Sequence, residues 1–213
     1  AVDSSGNHNT LTLSDPDISW SSDAAVGSHS LCLSKRNFAQ INWPVVNTSN
    51  SFTVCTWVKL NNVEKNTTEG SRNVTFVSID GKDVSSFFLQ LNYHEGARFV
   101  FNRLTSDSPM AATIVAVGKE RAKPGVWYHL AGVYNATDES LSLYVNGELQ
   151  MSVPFTTPWQ GTGCTAIGRG LYKGQNVDLV DGFIDETRLY AAALDRAKIK
   201  VLASKHNENV AGQ

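Results

Sequence analysis

Three short runs carry the residues best suited to grip a polyhydroxylated ligand. In SFFLQLNY (86–93) the apolar set Phe87, Leu89, Leu91 and Tyr93 alternates with Phe88, Gln90 and Asn92. In RFVFNRL (98–104) Phe99 and Phe101 alternate with Arg98, Val100 and Asn102. In FTVCTWVKL (52–60) Phe52, Val54, Thr56, Val58 and Leu60 alternate with Thr53, Cys55, Trp57 and Lys59. Neighbouring residues of an extended chain face opposite ways. If the first set of each run is buried, one outer face gains an indole (Trp57), three amides (Gln90, Asn92, Asn102) and a cation (Lys59 or Arg98). A sugar needs that mixture: an aromatic face covers its apolar C–H patch, while amides and cations bond its hydroxyls directionally. The plain reading stands beside it. Outward Gln and Asn are the ordinary solvent side of an antiparallel sheet, and a Trp at such a position serves as core equally well.

A second candidate is GRGLYKGQNVDLVD (168–181) with the preceding PWQGTG (158–163). It holds Trp159, Arg169, Tyr172, Lys173, Gln175, Asn176 and Asp178. Loops at sheet edges often carry binding sites; the plain reading is a solvated loop with two aromatics tucked against a sheet.

Catalytic chemistry is harder to assemble. Retaining glycoside hydrolysis needs two carboxyl groups about 5 Å apart, which on a strand face means a run such as E-x-D-x-x-E, and none occurs. Asp185 and Glu186 are adjacent, so a regular strand sends them to opposite faces; Asp178 and Asp181 lie in a loop without an evident partner. A polysaccharide lyase set of His129, Tyr172, Arg169 and Gln90 has the right residue types, a base with groups to neutralise a uronate, but scattered residues form such sets by accident. No nucleophile-elbow motif is present.

These residues must be positioned by strands. Short runs rich in Val, Thr, Phe, Tyr and Leu recur along the chain, separated by Gly, Asn, Asp and Pro clusters. Asn146-Gly147 between two apolar runs marks a tight antiparallel hairpin. The expected fold class is all-β, an antiparallel two-sheet sandwich, with one short amphipathic helix over 191–204 capping an end. Residues 1–204 read as one domain and 205–213 as a linker. The 213 residues, with 41% hydrophobic and 18% charged side chains, supply a real core and exclude a disordered chain. Net charge is −2 and no cluster of Lys or Arg forms, which argues against nucleic acid as partner. No apolar stretch approaches the roughly 20 residues of a spanning helix, so membrane insertion is not expected. Cys32, Cys55 and Cys164 allow one disulfide at most; three small buried side chains is the equally good alternative. The four glycosylation sequons (Asn47, Asn66, Asn73, Asn135) are about what the Asn, Ser and Thr content supplies by chance.

The order of motifs resembles the laminin-G-like jelly-roll domain of the concanavalin A-like lectin/glucanase superfamily. The matching stretches are DSSGN (3–7), FTVCTWVKL (52–60), WYHLAGVYNATDESLSLYVNGELQ (127–150), AIGRG (166–170) and GFIDETRLYAAAL (182–194), followed by the closing helix. They span residues 3 to about 203. SFFLQLNY and the loops of Trp159 and Tyr172 look most like copies in secreted microbial multidomain proteins. The resemblance implies a jelly-roll sandwich, secreted, acting as a non-catalytic module that binds a polysaccharide or glycan. The expected sugar contacts are Trp57, Lys59, Gln90, Asn92, Asn102, Trp159, Arg169 and Tyr172. It also implies a structural Ca²⁺ held by Asp3, Asn7 and Asp185, donors of the oxygen type that calcium takes; the alternative is an Asx turn at DSSGN and a hydrogen-bonded Asp185. Two features depart from the family. Ala1-Val2 leaves no room for the usual first apolar strand, as in a truncated or processed chain. Cys55 matches a pentraxin cysteine whose partner is absent here, so that disulfide is not carried over. The alternatives are a protein-binding adhesion or spacer module docking on neighbouring domains, and a polysaccharide lyase or glycoside hydrolase.

Overall fold

The computed structural model describes residues 3–63 and 73–204. The sequon at Asn66 and the expected linker 205–213 lie outside them. Strands dominate, as the period-two pattern requires, and every pairing is antiparallel. The first sheet has the order β1 (Thr12–Leu13), β4 (Ala39–Ile41), β13 (Thr165–Ile167), β6 (Asn73–Asp80), β7 (Ser85–Asn92), β8 (Arg98–Leu104), β9 (Thr113–Arg121). The second has β12 (Glu148–Pro154), β11 (Ser140–Val145), β10 (Tyr128–Asn135), β5 (Phe52–Leu60), β16 (Gly182–Tyr190), β3 (Ser30–Leu33), β2 (Ser19–Ser21). A small ribbon, β14 (Gly170–Tyr172) with β15 (Gln175–Val177), stands apart from both. This is the expected jelly-roll sandwich.

The inward residues of the two sheets form the core. Phe87, Leu89 and Leu91 of β7 and Phe99 and Phe101 of β8 meet Phe52, Val54 and Val58 of β5 and Leu130 of β10. The rings of Phe52 and Phe87 lie 5.1 Å apart, and those of Phe87 and Phe101 5.8 Å apart. Arg103 is buried among them. Its guanidinium carbon sits 4.7 Å from the Phe155 ring and 4.9 Å from Tyr134, while Nε donates to Ser86 O (2.9 Å) and Nη2 to Trp159 O (3.0 Å). Burial pulls its pKa down to about 9. Asn146 and Gly147, at φ +50° and +80°, make the turn between β11 and β12, as their types demand.

The helix is shorter than expected. α1 runs Arg196–Ala203, and Asp195 caps it by accepting the Lys198 N–H at 2.8 Å. Residues 191–194 are instead tied to the sheet: Thr53 Oγ1 donates to Ala192 O (2.8 Å) and accepts from Leu194 N–H (2.9 Å). Ile199 of α1 packs on Cys55, Ala131 and Val133. The helix therefore lies on the outer face of the second sheet rather than across an end of the sandwich.

Candidate functional site

The outer face of the first sheet forms the floor of a groove of about 750 Å³. Strand pairing aligns its side chains in rows. Phe88 of β7 lies beside Asn102 of β8 and Val115 of β9; Gln90 lies between Thr75 of β6 and Val100; Asn92 lies beside Asn73 and Arg98. Leu104 and Thr113 complete the floor. Gln90 and Asn102 are sunk into it, 3% and 4% exposed, while Asn92 and Tyr93 stand half-buried. Thr75 Oγ1 donates to Gln90 Oε1 at 3.1 Å, which leaves the Gln90 amide nitrogen as its donor group. Asn102 Oδ1 accepts no hydrogen bond among the described residues. Burial raises the pKa of Tyr93, with the nearby Arg121 opposing it.

The β14–β15 ribbon and the chain after it build one wall. The ribbon is fastened at several points: Leu171 N–H to Ser85 Oγ (2.8 Å), Gly174 N–H to Asp83 O (2.9 Å) and Thr75 N–H to Asp178 O (2.8 Å). Close approach explains Gly170, since a Cβ there would meet the Phe88 ring at 2.8 Å. Tyr172 crowns the ribbon, 38% exposed, with its hydroxyl donating to Pro109 O at 3.0 Å and Lys173 Nζ 5.8 Å from its ring. That bond fixes the ring, and an immobilised phenol loses little entropy on stacking a ligand. Asn176, Asp178 and Asp181 face the groove from the same wall; Asp181 Oδ1 accepts from Asn61 Nδ2 (2.8 Å). Lys35 and Asn62 also line the groove.

Four of the expected sugar contacts therefore come together: Gln90, Asn92, Asn102 and Tyr172. Four do not. Trp57 and Lys59 belong to the second sheet, and neither lines the groove. Trp57, 5% exposed, packs edge-on to His129 at 5.4 Å, with Val26 and Leu202 of α1 closing over the same small space. Lys59 pairs with Asp23 and lies 4.7 Å from the Phe183 ring and 5.2 Å from Trp127; burial lowers its pKa. Arg169, 3% exposed, pairs with Asp80 (2.8 Å), bonds Gln40 Oε1 (3.0 Å) and covers the Phe38 ring. Burial raises the Asp80 pKa against the pull of that guanidinium. Trp159 supports the floor without lining the groove: it packs on Phe88 and Leu104 and donates its indole N–H to Leu104 O at 2.8 Å. The ledge of outward residues on β5 is thus corrected to a core position for Trp57, because both faces of that central strand are covered. Sequence reasoning missed Lys35, Asn62, Asn73, Tyr93 and Thr113, which reach the groove only through the path of the chain.

The side chains expected to hold calcium all make hydrogen bonds within the protein. Asp3 spends both oxygens on its own turn, accepting from Ser5 N–H (2.9 Å), Ser5 Oγ (2.8 Å) and Asn9 N–H (2.9 Å), while the Asn7 amide donates to Ser5 Oγ (3.0 Å). Asp185 Oδ2 accepts from the N–H groups of Ala25 and Val26, both at 3.0 Å. Among the described residues no group of three His, Cys, Asp or Glu side chains converges; the expected calcium set, two carboxylates with an amide and main-chain carbonyls, does not call for one. Asp185 and Glu186 sit at a bulge in β16, where Glu186 takes φ +50° and pairs with Arg188. The lyase set is dispersed as well. Gln90 and Tyr172 line the groove, Arg169 is occupied by Asp80, and His129 lies on the second sheet with burial pushing its pKa down to about 4. The three cysteines are free thiols, and Cys55 is pushed up to about 12 by burial.

Two antiparallel sheets in this order define a jelly-roll sandwich. Residues 33–200 match the Laminin_G_3 family model of the concanavalin A-like lectin/glucanases superfamily, and the chain belongs to that family. No curated protein matches it in sequence. Among solved structures it is similar to domain 4 of AbnA, a GH43 extracellular arabinanase from Geobacillus stearothermophilus, in complex with arabinotriose: TM-score 0.69, 19% identity, covering 94% of this chain and 91% of that one. The botulinum neurotoxin serotype G binding domain gives a TM-score of 0.70 at 13% identity over 95% of this chain and 47% of that one. The sialidase CBM40 of Ruminococcus gnavus, bound to α2,3-sialyllactose, gives 0.56 at 14% over 72% and 83%. At these identities the likeness shows the fold alone.

Proposed function

We propose that this chain is a non-catalytic carbohydrate-binding module, secreted, that holds a polysaccharide or glycan in the groove of the first sheet. The observation that carries the reading is the joining of the Gln90, Asn92 and Asn102 amides, along the floor, to the fixed Tyr172 ring at the rim. The volume suits a small-molecule ligand, which such clefts of roughly 300–1,000 Å³ enclose. A sugar chain would lie along the floor with a C–H face against Tyr172 and hydroxyls toward the amides. Neighbours solved with arabinotriose and sialyllactose support the class of ligand. The dispersal of the His129, Arg169, Gln90 and Tyr172 set supports a binding rather than a lyase role.

Affinity gel electrophoresis against a panel of plant and microbial polysaccharides tests the reading. At least one polymer is expected to retard the protein, and Tyr172→Ala is expected to weaken that retention about tenfold with unchanged melting, since an exposed ring is lost and no core is opened. Equal retention of the Tyr172→Ala variant would move the site elsewhere.

A further inference from the structure

We infer that the groove recognises a glycan by its acetyl groups, taking their carbonyls on the floor amides and their methyls on the apolar side chains beside them. The inference rests on the glycan-binding reading of this same groove and names its ligand class. Its first basis is what each floor amide has left to offer. Asn92 Oδ1 accepts from the backbone N–H groups of His94 (2.8 Å) and Glu95 (3.2 Å). Gln90 Oε1 accepts from Thr75 Oγ1 (3.1 Å). Asn102 Oδ1 is buried. What remains on each is the NH2 group, which only donates. These three NH2 groups make no hydrogen bond among the described residues, and unlike Asn102 Oδ1 none is shut off from solvent. The middle of the floor is thus a set of donors.

The second basis is what flanks them. On β7, β8 and β9, Asn102 sits in its row between Phe88 and Val115, and Gln90 sits beside Val100. An acetyl group carries an oxygen that only accepts and, on the same carbon, a methyl that only packs, so it answers a donor set beside an apolar side chain. A hydroxyl there accepts from the NH2 as well, but its own O–H is turned toward Phe88, Val100 or Val115, and a buried donor without a partner is costly. A carboxylate also only accepts, yet neutral amides among apolar groups repay little of the cost of drying a full charge. Gln90 and Asn102 are diagonal neighbours across β7 and β8, roughly 7–8 Å apart, so each takes an acetyl group of its own.

The test is calorimetry and affinity electrophoresis on the full chain with two matched pairs, acetylated xylan against the same xylan after alkaline deacetylation, and chitohexaose against cellohexaose. Polygalacturonate, arabinan and a mixed-linkage β-glucan are run beside them. In at least one pair the acetylated member is expected to bind at least about tenfold more tightly than its partner, a gap of about 1.4 kcal/mol; the pair that shows it tells an acetyl ester from an acetamide. Asn92→Asp keeps the oxygen that His94 and Glu95 use and replaces the NH2 by an acceptor, so it should weaken the acetylated ligand several-fold at unchanged melting; Gln90→Glu makes the same exchange deeper in the floor. Equal binding within both pairs overturns the inference and leaves the glycan reading intact, as does any unacetylated polymer, polygalacturonate included, that binds as tightly as the best acetylated ligand. Binding of none of these ligands overturns the reading itself, and the inference with it.

Discussion

On the outer face of the first sheet, Phe88, Gln90, Asn92 and Asn102 floor a groove; on the outer face of the second, Cys55 and Trp57 lie beneath α1 and Lys59 beneath Trp127 and Phe183. Both sets come from strands with the same alternation of apolar and other residues. What separates them is the cover. Among the described residues the first sheet is roofed along one side, by a ribbon fastened to β6 and β7. The second receives a helix whose Ile199 and Leu202 need an apolar seat, and Cys55 and Trp57 supply it. Alternation fixes which way a side chain faces. Whether that side meets water depends on segments distant in the chain.

The largest effect should come from breaking the closed face. Trp57→Ala removes a buried indole and should cost about 3–5 kcal/mol of stability, read as a lower denaturant midpoint, with glycan affinity unchanged in the fraction that stays folded. Lost affinity at constant stability would return Trp57 to the binding site.

The closed face should also respond to acid. His129 is neutral in the fold, with a pKa of about 4 against an unfolded value near 6.5. Between those values the unfolded chain binds the extra proton, so stability rises with pH. The contribution, at most about 3 kcal/mol, is present above pH 6.5 and is lost as pH falls toward 4. Urea titrations across that range should show the fall, and His129→Phe should flatten it.

On the open face the expected sign is opposite. Asn102→Leu removes a buried acceptor that has no partner among the described residues, so stability should stay level or rise by about 1 kcal/mol, while glycan affinity falls several-fold. A loss of both would mark Asn102 as a structural residue. The smallest effect belongs to the lid over the closed face: Asp195→Ala removes the helix cap and should lower Tm slightly without changing affinity.

Much of this was legible in the sequence, for identifiable reasons. Period-two runs gave the strands and the sandwich, Asn146-Gly147 gave a hairpin, and the facing of Gln90, Asn92 and Asn102 followed from Phe87, Leu89 and Phe101 being core. The burial of Trp57 had a signal that alternation alone does not use: two apolar residues, Cys55 and Trp57, on the outward side of a strand, and an amphipathic helix later in the chain with a face to bury. Arg169 and Asp80 were harder, since their pairing spans 89 residues and joins a loop to a strand. The groove wall was half visible. Tyr172, Asn176 and Asp178 stood out as a polar, aromatic loop, but its fastening through Ser85, Asp83 and Thr75 depends on backbone donors that no side-chain pattern reveals.

The central claim is that the open face, not the closed one, meets the ligand. Titrating ¹⁵N-labelled protein with a neutral oligosaccharide tests it most directly by following the side-chain amide signals of Gln90, Asn92 and Asn102 beside the Trp57 indole signal. The account expects the three amides to shift together with saturation while the Trp57 indole stays in place; a moving indole with stationary amides would contradict it.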